Sequence, residues 1–134
     1  MNYWLLKTEP AEYSFWDLKK EKTTRWDGIK APAALQNLRL MKKGDRVLIY
    51  HTGREKAIVG TGLVVIEAYP DPGQEDSRRL VLNISAGEAL KRPVKLSEIK
   101  QSGLFPEWQL IRQPRLSVVP VSREQWDKLT TWDK

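Results

Sequence analysis

The run from Ala57 to Ala68 limits the fold of this chain more than any other stretch. It is apolar and β-branched over most of its length, yet Gly60 and Gly62 interrupt it. A glycine inside a strand marks a bulge, or a bend where a small sheet closes on itself. The flanking segments support a sheet of that kind. Tyr3 to Lys7 reads as a strand that Glu9-Pro10 ends. Ser14, with Asp17 three residues on, resembles a capping box and opens a short helix to about Glu21. Thr23 to Ile29 reads as irregular. Pro32 suits the first turn of a second helix whose apolar face is Ala34, Leu35, Leu38 and Met41, and Lys43-Gly44-Asp45 stops it. Arg46 to His51 is the next strand, joined by Thr52 to Lys56 as a hairpin connection to the glycine-bearing run.

Beyond that run, Tyr69-Pro70-Asp71-Pro72-Gly73 reads as a loop, because its prolines and glycine oppose regular structure. Arg79 to Ser85 alternates, with Leu80, Leu82 and Ile84 on one face. Pro93 to Leu96 reads as a short strand, and Ser97 as the cap of a helical turn at Glu98 to Gln101. Arg115 to Val121 is a late strand. Ser122, with Gln125 three residues later, starts a final helix carrying Trp126 and Leu129. This order predicts an α+β fold with a mixed, barrel-like sheet of five or six strands and short flanking helices. Strand–helix alternation is not sustained, which argues against a parallel βαβ architecture.

The 134 residues are expected to form one domain, 1–134. With no cysteine and one histidine, disulfide frameworks, thiolate zinc sites, thiol nucleophiles and His-rich metal sites are excluded. Asp71, Glu75 and Asp76 read as a solvated acidic loop, so no metal is expected. No apolar run has the ~20 residues of a membrane span. The segment Met1-Asn2-Tyr3-Trp4 does not resemble a signal peptide. The expectation is a complete, cytoplasmic chain. A formal net charge of +6 points to an anionic partner, most often nucleic acid. The pairs Lys19-Lys20, Lys42-Lys43, Arg78-Arg79 and Lys91-Arg92 are spread along the chain, which fits a folded surface patch rather than a basic tail.

Three of the six tryptophans, Trp4, Trp16 and Trp26, stand among Lys, Ser, Thr and Asp rather than among Leu and Val. A flat π-face beside hydrogen-bonding groups suits a nucleobase. The alternative is that each indole is core, anchored through its N–H. Trp126 and Trp132 are assigned to helix packing and a surface tail, and Trp108 fits either role. Trp26-Asp27-Gly28 is the strongest candidate, since it presents a ring, an acceptor and a turn together. His51 ends a strand and is the one imidazole available as a general base for a small nucleotide-directed enzyme. Its other reading is a hydrogen-bonded structural residue. Gly60-Thr61-Gly62 lacks the third glycine and following helix of a phosphate loop.

Trp4-Leu5-Leu6-Lys7-Thr8-Glu9-Pro10, Tyr13-Ser14-Phe15, Asp17-Leu18 and Thr24-Arg25-Trp26-Asp27-Gly28-Ile29 resemble the N-terminal signature of the EVE domain family. Leu38-Arg39, Met41-Lys42, Gly44-Asp45, Tyr50-His51-Thr52, Ile58-Val59-Gly60, Ala68-Tyr69-Pro70-Asp71-Pro72 and Arg115-Leu116-Ser117-Val118 continue the likeness in order. The resemblance implies a PUA-like pseudo-barrel related to the YTH reader domains. It implies non-enzymatic recognition of modified bases in DNA or RNA, without a cofactor, with the base turned into an aromatic-lined pocket. By position, the pocket candidates are Trp4, Lys7, Ser14, Trp26, Asp27, Gly28, Tyr50 and His51. Lys30, Arg54, Lys56 and Arg115 are the candidate phosphate contacts, and the chain is expected to act as a monomer. A general RNA-binding PUA-like domain without modification preference is the alternative. After Gly28 many eukaryotic members resemble Val-Arg-Asn-Tyr-Gln-Ala-Arg-Asn. This chain reads Ile29-Lys30-Ala31-Pro32-Ala33-Ala34-Leu35-Gln36, with Ala31 at the Asn position, a form that looks like the compact bacterial subgroup.

Overall fold

The computed structural model describes residues 1–132. The elements run β1 (Tyr3–Thr8), α1 (Phe15–Glu21), β2 (Thr23–Trp26), α2 (Pro32–Leu40), β3 (Arg46–His51), β4 (Ala57–Pro70), β5 (Leu80–Lys95), α3 (Leu96–Ser102), α4 (Gln109–Arg112), β6 (Val118–Val121) and α5 (Arg123–Thr130). The strands form one open, mixed sheet in the order β2-β5-β4-β3-β1-β6. β1 and β3 are parallel, and the other pairings are antiparallel. The fold is an α+β pseudo-barrel, as the order of segments implies. The single parallel pair comes from the two helices between β1 and β3, and the alternation goes no further.

The long β4–β5 hairpin gives the sheet its curl. Its register shifts between Ile58 and Gly60 and again between Gly60 and Gly62, where the sequence places its glycines. It shifts twice more between Val64 and Tyr69. Each extra residue bends the strand and increases its twist. Gly60 has a second role that the sequence does not announce. A Cβ there would collide with the Phe15 ring, so the missing side chain leaves the seat that Phe15 of α1 fills. Ser14 caps α1 with Asp17 in a reciprocal box, and Ser122 caps α5 with Gln125 in the same way.

α2 packs against β4, β5 and β6. β6 lies at the far end of the order from the β4–β5 pair, so the helix sits inside the curl, turning in Ala34, Leu35 and Leu38. Asn37 Nδ2 donates to the Val118 carbonyl at 2.8 Å and fastens the helix to the last strand. A buried Asp45 locks the start of the chain. Its carboxylate accepts the Trp4 indole N–H at 3.0 Å, the Asn2 amide at 3.0 Å and the Lys42 amide at 2.9 Å.

Several expectations change. Thr23 to Trp26 is not irregular; it is an edge strand on β5, where Thr-Thr-Arg-Trp finds partners from Ser85 to Leu82. Tyr69 and Pro70 pair with Val81 and Leu80, so the loop begins at Asp71. The separate strands at Arg79 to Ser85 and Pro93 to Leu96 are parts of the single β5. β2 covers β5 only from Leu82 to Ser85, so Pro93 lies on an open edge, where a missing N–H is tolerated. Ser97 is not the cap of α3. The helix begins at Leu96, and the Glu98 carboxylate accepts the Lys95 amide at 3.1 Å. α4 has no counterpart in the sequence reading, and β6 starts at Val118 rather than Arg115.

Candidate nucleic-acid interface

A cleft of about 520 Å³ opens between the two ends of the strand order. One wall is the end of β2 with the turn after it, from Thr24 to Ile29. The other is the end of β1, from Lys7 to Glu9, with Ser117 just ahead of β6. Glu12 and Tyr13 form its rim. The volume lies within the range of small-ligand sites. The cleft is the seam of a barrel that does not close.

Trp26 ends β2, and only 7% of it is exposed. The Tyr13 ring meets it edge-on, with centroids 6.2 Å apart and planes at 84°. Tyr13 is itself held in place. Its hydroxyl donates to Glu21, and its carbonyl accepts the Thr8 hydroxyl. Burial, and then the bond to Glu21, push the Tyr13 phenol up to about 12, so it remains a neutral donor. Gly28 takes φ = +81°, a backbone conformation that glycine supplies without strain. It turns the chain away directly after the exposed Asp27.

Lys7 is half-buried. Its ammonium donates to the Pro114 carbonyl at 2.8 Å and lies 5.6 Å from the centre of the Tyr50 ring. Burial lowers the Lys7 pKa and raises that of Tyr50. The other ionisable side chains of the cleft are Arg25, Glu9, Glu12 and Asp27. Carboxylates therefore outnumber cations three to two along the walls. Such a lining suits the N–H edge of a base and disfavours a phosphate.

The structure brings four of the eight pocket candidates to this cleft: Lys7, Trp26, Asp27 and Gly28. Trp4 does not line it, because Asp45 draws the indole into the core. Ser14 is occupied in capping α1. Tyr50 is buried behind Lys7. His51 is buried in the core, with both ring nitrogens engaged. Nε2 accepts the Phe15 amide N–H at 2.9 Å. An amide can only donate, so the proton sits on Nδ1, 2.8 Å from Glu55 Oε1. Trp16 stands 57% exposed on α1. Trp108 and Trp126 are core, and Trp132 is partly buried with Lys128 over its ring.

Of the phosphate candidates, Lys30 follows Ile29 and borders an adjoining cavity, whereas Arg115 borders a separate pocket with Ala31 and Ala33 and does not line the cleft. Arg54 and Lys56 project from the β3–β4 turn, outside the cleft lining. Sequence reasoning missed Thr8, Glu9, Glu12, Tyr13, Thr24, Arg25, Ile29 and Ser117 as cleft residues. All but Glu12 belong to segments already singled out, so a signal for them existed. Ser117 comes to the cleft through topology alone, since its carbonyl accepts the Lys7 amide at 3.0 Å.

Residues 2–132 match the model of the EVE domain. The chain belongs to the EVE domain family. Among curated EVE relatives, thymocyte nuclear protein 1 of Gallus gallus is 31% identical over 159 residues, covering 93% of this chain and 66% of that protein. The chain thus spans just under two thirds of that relative's length. Rpa0253 from Rhodopseudomonas palustris shares the fold with a TM-score of 0.91 and 32% identity, over 97% of this chain and 91% of that one. Human THYN1, solved in complex with 5-methylcytosine containing DNA, superposes with a TM-score of 0.89 at 26% identity over 100% of both chains.

Proposed function

We propose that this EVE domain is a reader of nucleic acid that takes an unpaired or flipped, modified base into the cleft and acts by binding alone. The observation that carries the reading is the seam itself: an indole wall at Trp26, faced by carboxylates and one half-buried ammonium, in a space of ligand size. The human relative whose structure contains 5-methylcytosine DNA supports the choice of ligand. The enclosed position of His51, with both nitrogens used by the protein, favours binding over general-base chemistry.

Stacking on Trp26 contributes about 1–3 kcal/mol per base. Extruding a base from a duplex costs a few kcal/mol. The two nearly cancel, so duplex binding needs phosphate contacts as well, and single strands bind more readily. Glu9, Glu12 and Asp27 are placed to accept from an exocyclic amine, as on cytosine or adenine. A methyl group alone adds about 0.8 kcal/mol of burial, a several-fold preference.

The test is fluorescence anisotropy with matched single-stranded oligonucleotides carrying cytosine or 5-methylcytosine at one position. The expected result is binding of both, with several-fold tighter binding of the methylated strand. Equal affinities would reduce the activity to nucleic-acid binding without modification preference, and absence of binding would remove the reading altogether.

A further inference from the structure

The cleft does not end at Ile29. Gly28 and Ile29 also border a second cavity of about 150 Å³, and Lys30 and Arg79 lead from it into a third of about 320 Å³. The three form a furrow that leaves the seam between the start of α2 and the loop from Asp71 to Arg79. Its charge is opposite to that of the cleft. Lys30, Arg39, Arg78 and Arg79 line it, against two carboxylates.

Those carboxylates are already committed within the loop. Asp71 accepts the Gly73 amide at 2.9 Å. Asp76 accepts the Arg78 amide at 2.9 Å, holds the Arg78 guanidinium with Nε at 3.0 Å, and stands 4.0 Å from Arg79 Nε. Lys30 and Arg39 make no ion pair among the described residues. The loop is closed by its own backbone: the Asp71 amide donates to the Arg79 carbonyl at 2.8 Å and the Arg79 amide to the Asp76 carbonyl at 3.0 Å. The arginines therefore stand on a frame that forms without a ligand.

A nucleotide has a neutral base and an anionic link to the next residue. The acid-rich cleft accepts the first and repels the second. The backbone must run outside the cleft, and the adjoining basic channel is the furrow. We propose that the polynucleotide leaves the cleft along this furrow, with successive phosphodiesters held by Lys30, Arg39 and Arg79. The proposal rests on the nucleic-acid reading of the cleft and adds the path of the strand. Arg54 and Lys56, on the β3–β4 turn, lie off this path.

The experiment measures affinity against salt concentration for a fluorescein-labelled single strand with one central 5-methylcytosine. Each phosphate contact on a single strand contributes about 0.7 to the slope of log K on log salt. Arg39→Gln with Arg79→Gln is expected to reduce the slope by about 1.4 and to weaken binding on the order of twentyfold at ~0.1 M salt. Lys91→Gln with Lys100→Gln removes the same charge from exposed sites outside the furrow, and the slope should hold. Arg39→Lys with Arg79→Lys should also keep it, and thermal unfolding should match the wild type in every variant. An unchanged slope in the glutamine pair overturns the path while leaving the reader intact. Equal losses in both glutamine pairs overturn it in favour of a net-charge effect. A wild-type protein that binds no oligonucleotide overturns the reading and the path together.

Discussion

Trp26 serves two purposes with one ring. Most of its surface is interior, and what remains faces the cleft. Trp26→Ala therefore confounds folding and binding, since losing a buried indole costs roughly 3–5 kcal/mol. Trp26→Phe separates them. It keeps a ring in the interior and should cost less than the alanine change in urea unfolding, yet weaken oligonucleotide binding measurably in anisotropy. His51 is the opposite case. His51→Ala strands the Phe15 amide and should lower stability by roughly 1–3 kcal/mol, while the folded protein keeps its affinity; loss of affinity at full stability would place the imidazole in the site. Lys7, Trp26, Asp27 and Gly28 could be read in the sequence as cleft residues because a strand end and a turn present them locally. Trp4 carries the same local polarity, but its position is decided by Asp45, forty-one residues away. No window of neighbouring residues contains that information.

Elements here are fixed by close approaches and caps as much as by apolar patterning. Gly60→Ala would drive a methyl into the Phe15 ring that ties α1 to β4. Overpacking of this kind costs roughly 1–3 kcal/mol, and a calorimetric melt should show the fall. The glycine bends could be read from the sequence because a strand has few other uses for glycine. The aromatic seat could not, because Phe15 arrives from a separate helix. α3 supplies a pH signature. The Lys95 amide, followed by the Arg92 guanidinium, holds the Glu98 carboxyl below its ordinary value of 4.5. The fold thus favours the charged form. That stabilisation is complete above the ordinary glutamate value and fades as pH falls through the lowered one. Glu98→Gln should flatten the acid limb of a stability-against-pH curve measured by urea unfolding.

At the scale of the molecule, the seam depends on where the chain places its first and last strands. β2 is an edge on one side and β6 on the other, and the ligand space lies between their neighbourhoods. A base bound across the seam should slow amide hydrogen exchange on both walls at once, at Trp26 to Ile29 and at Lys7 to Glu9 with Ser117. Protection confined to one wall, seen by mass spectrometry, would show that the ligand does not bridge them. The fold class was legible from strand count and glycine placement. The strand order was not, because β2 is four residues long and β6 pairs with a strand more than a hundred residues earlier.

That long-range pairing imposes an order of events during synthesis. Until Ser117 and the four residues of β6 have emerged from the ribosome, the wall built on β1 has no neighbour on its outer edge. Capture of a guest therefore has to wait for β6, and a product truncated ahead of Ser117 would lack part of one wall of the slot.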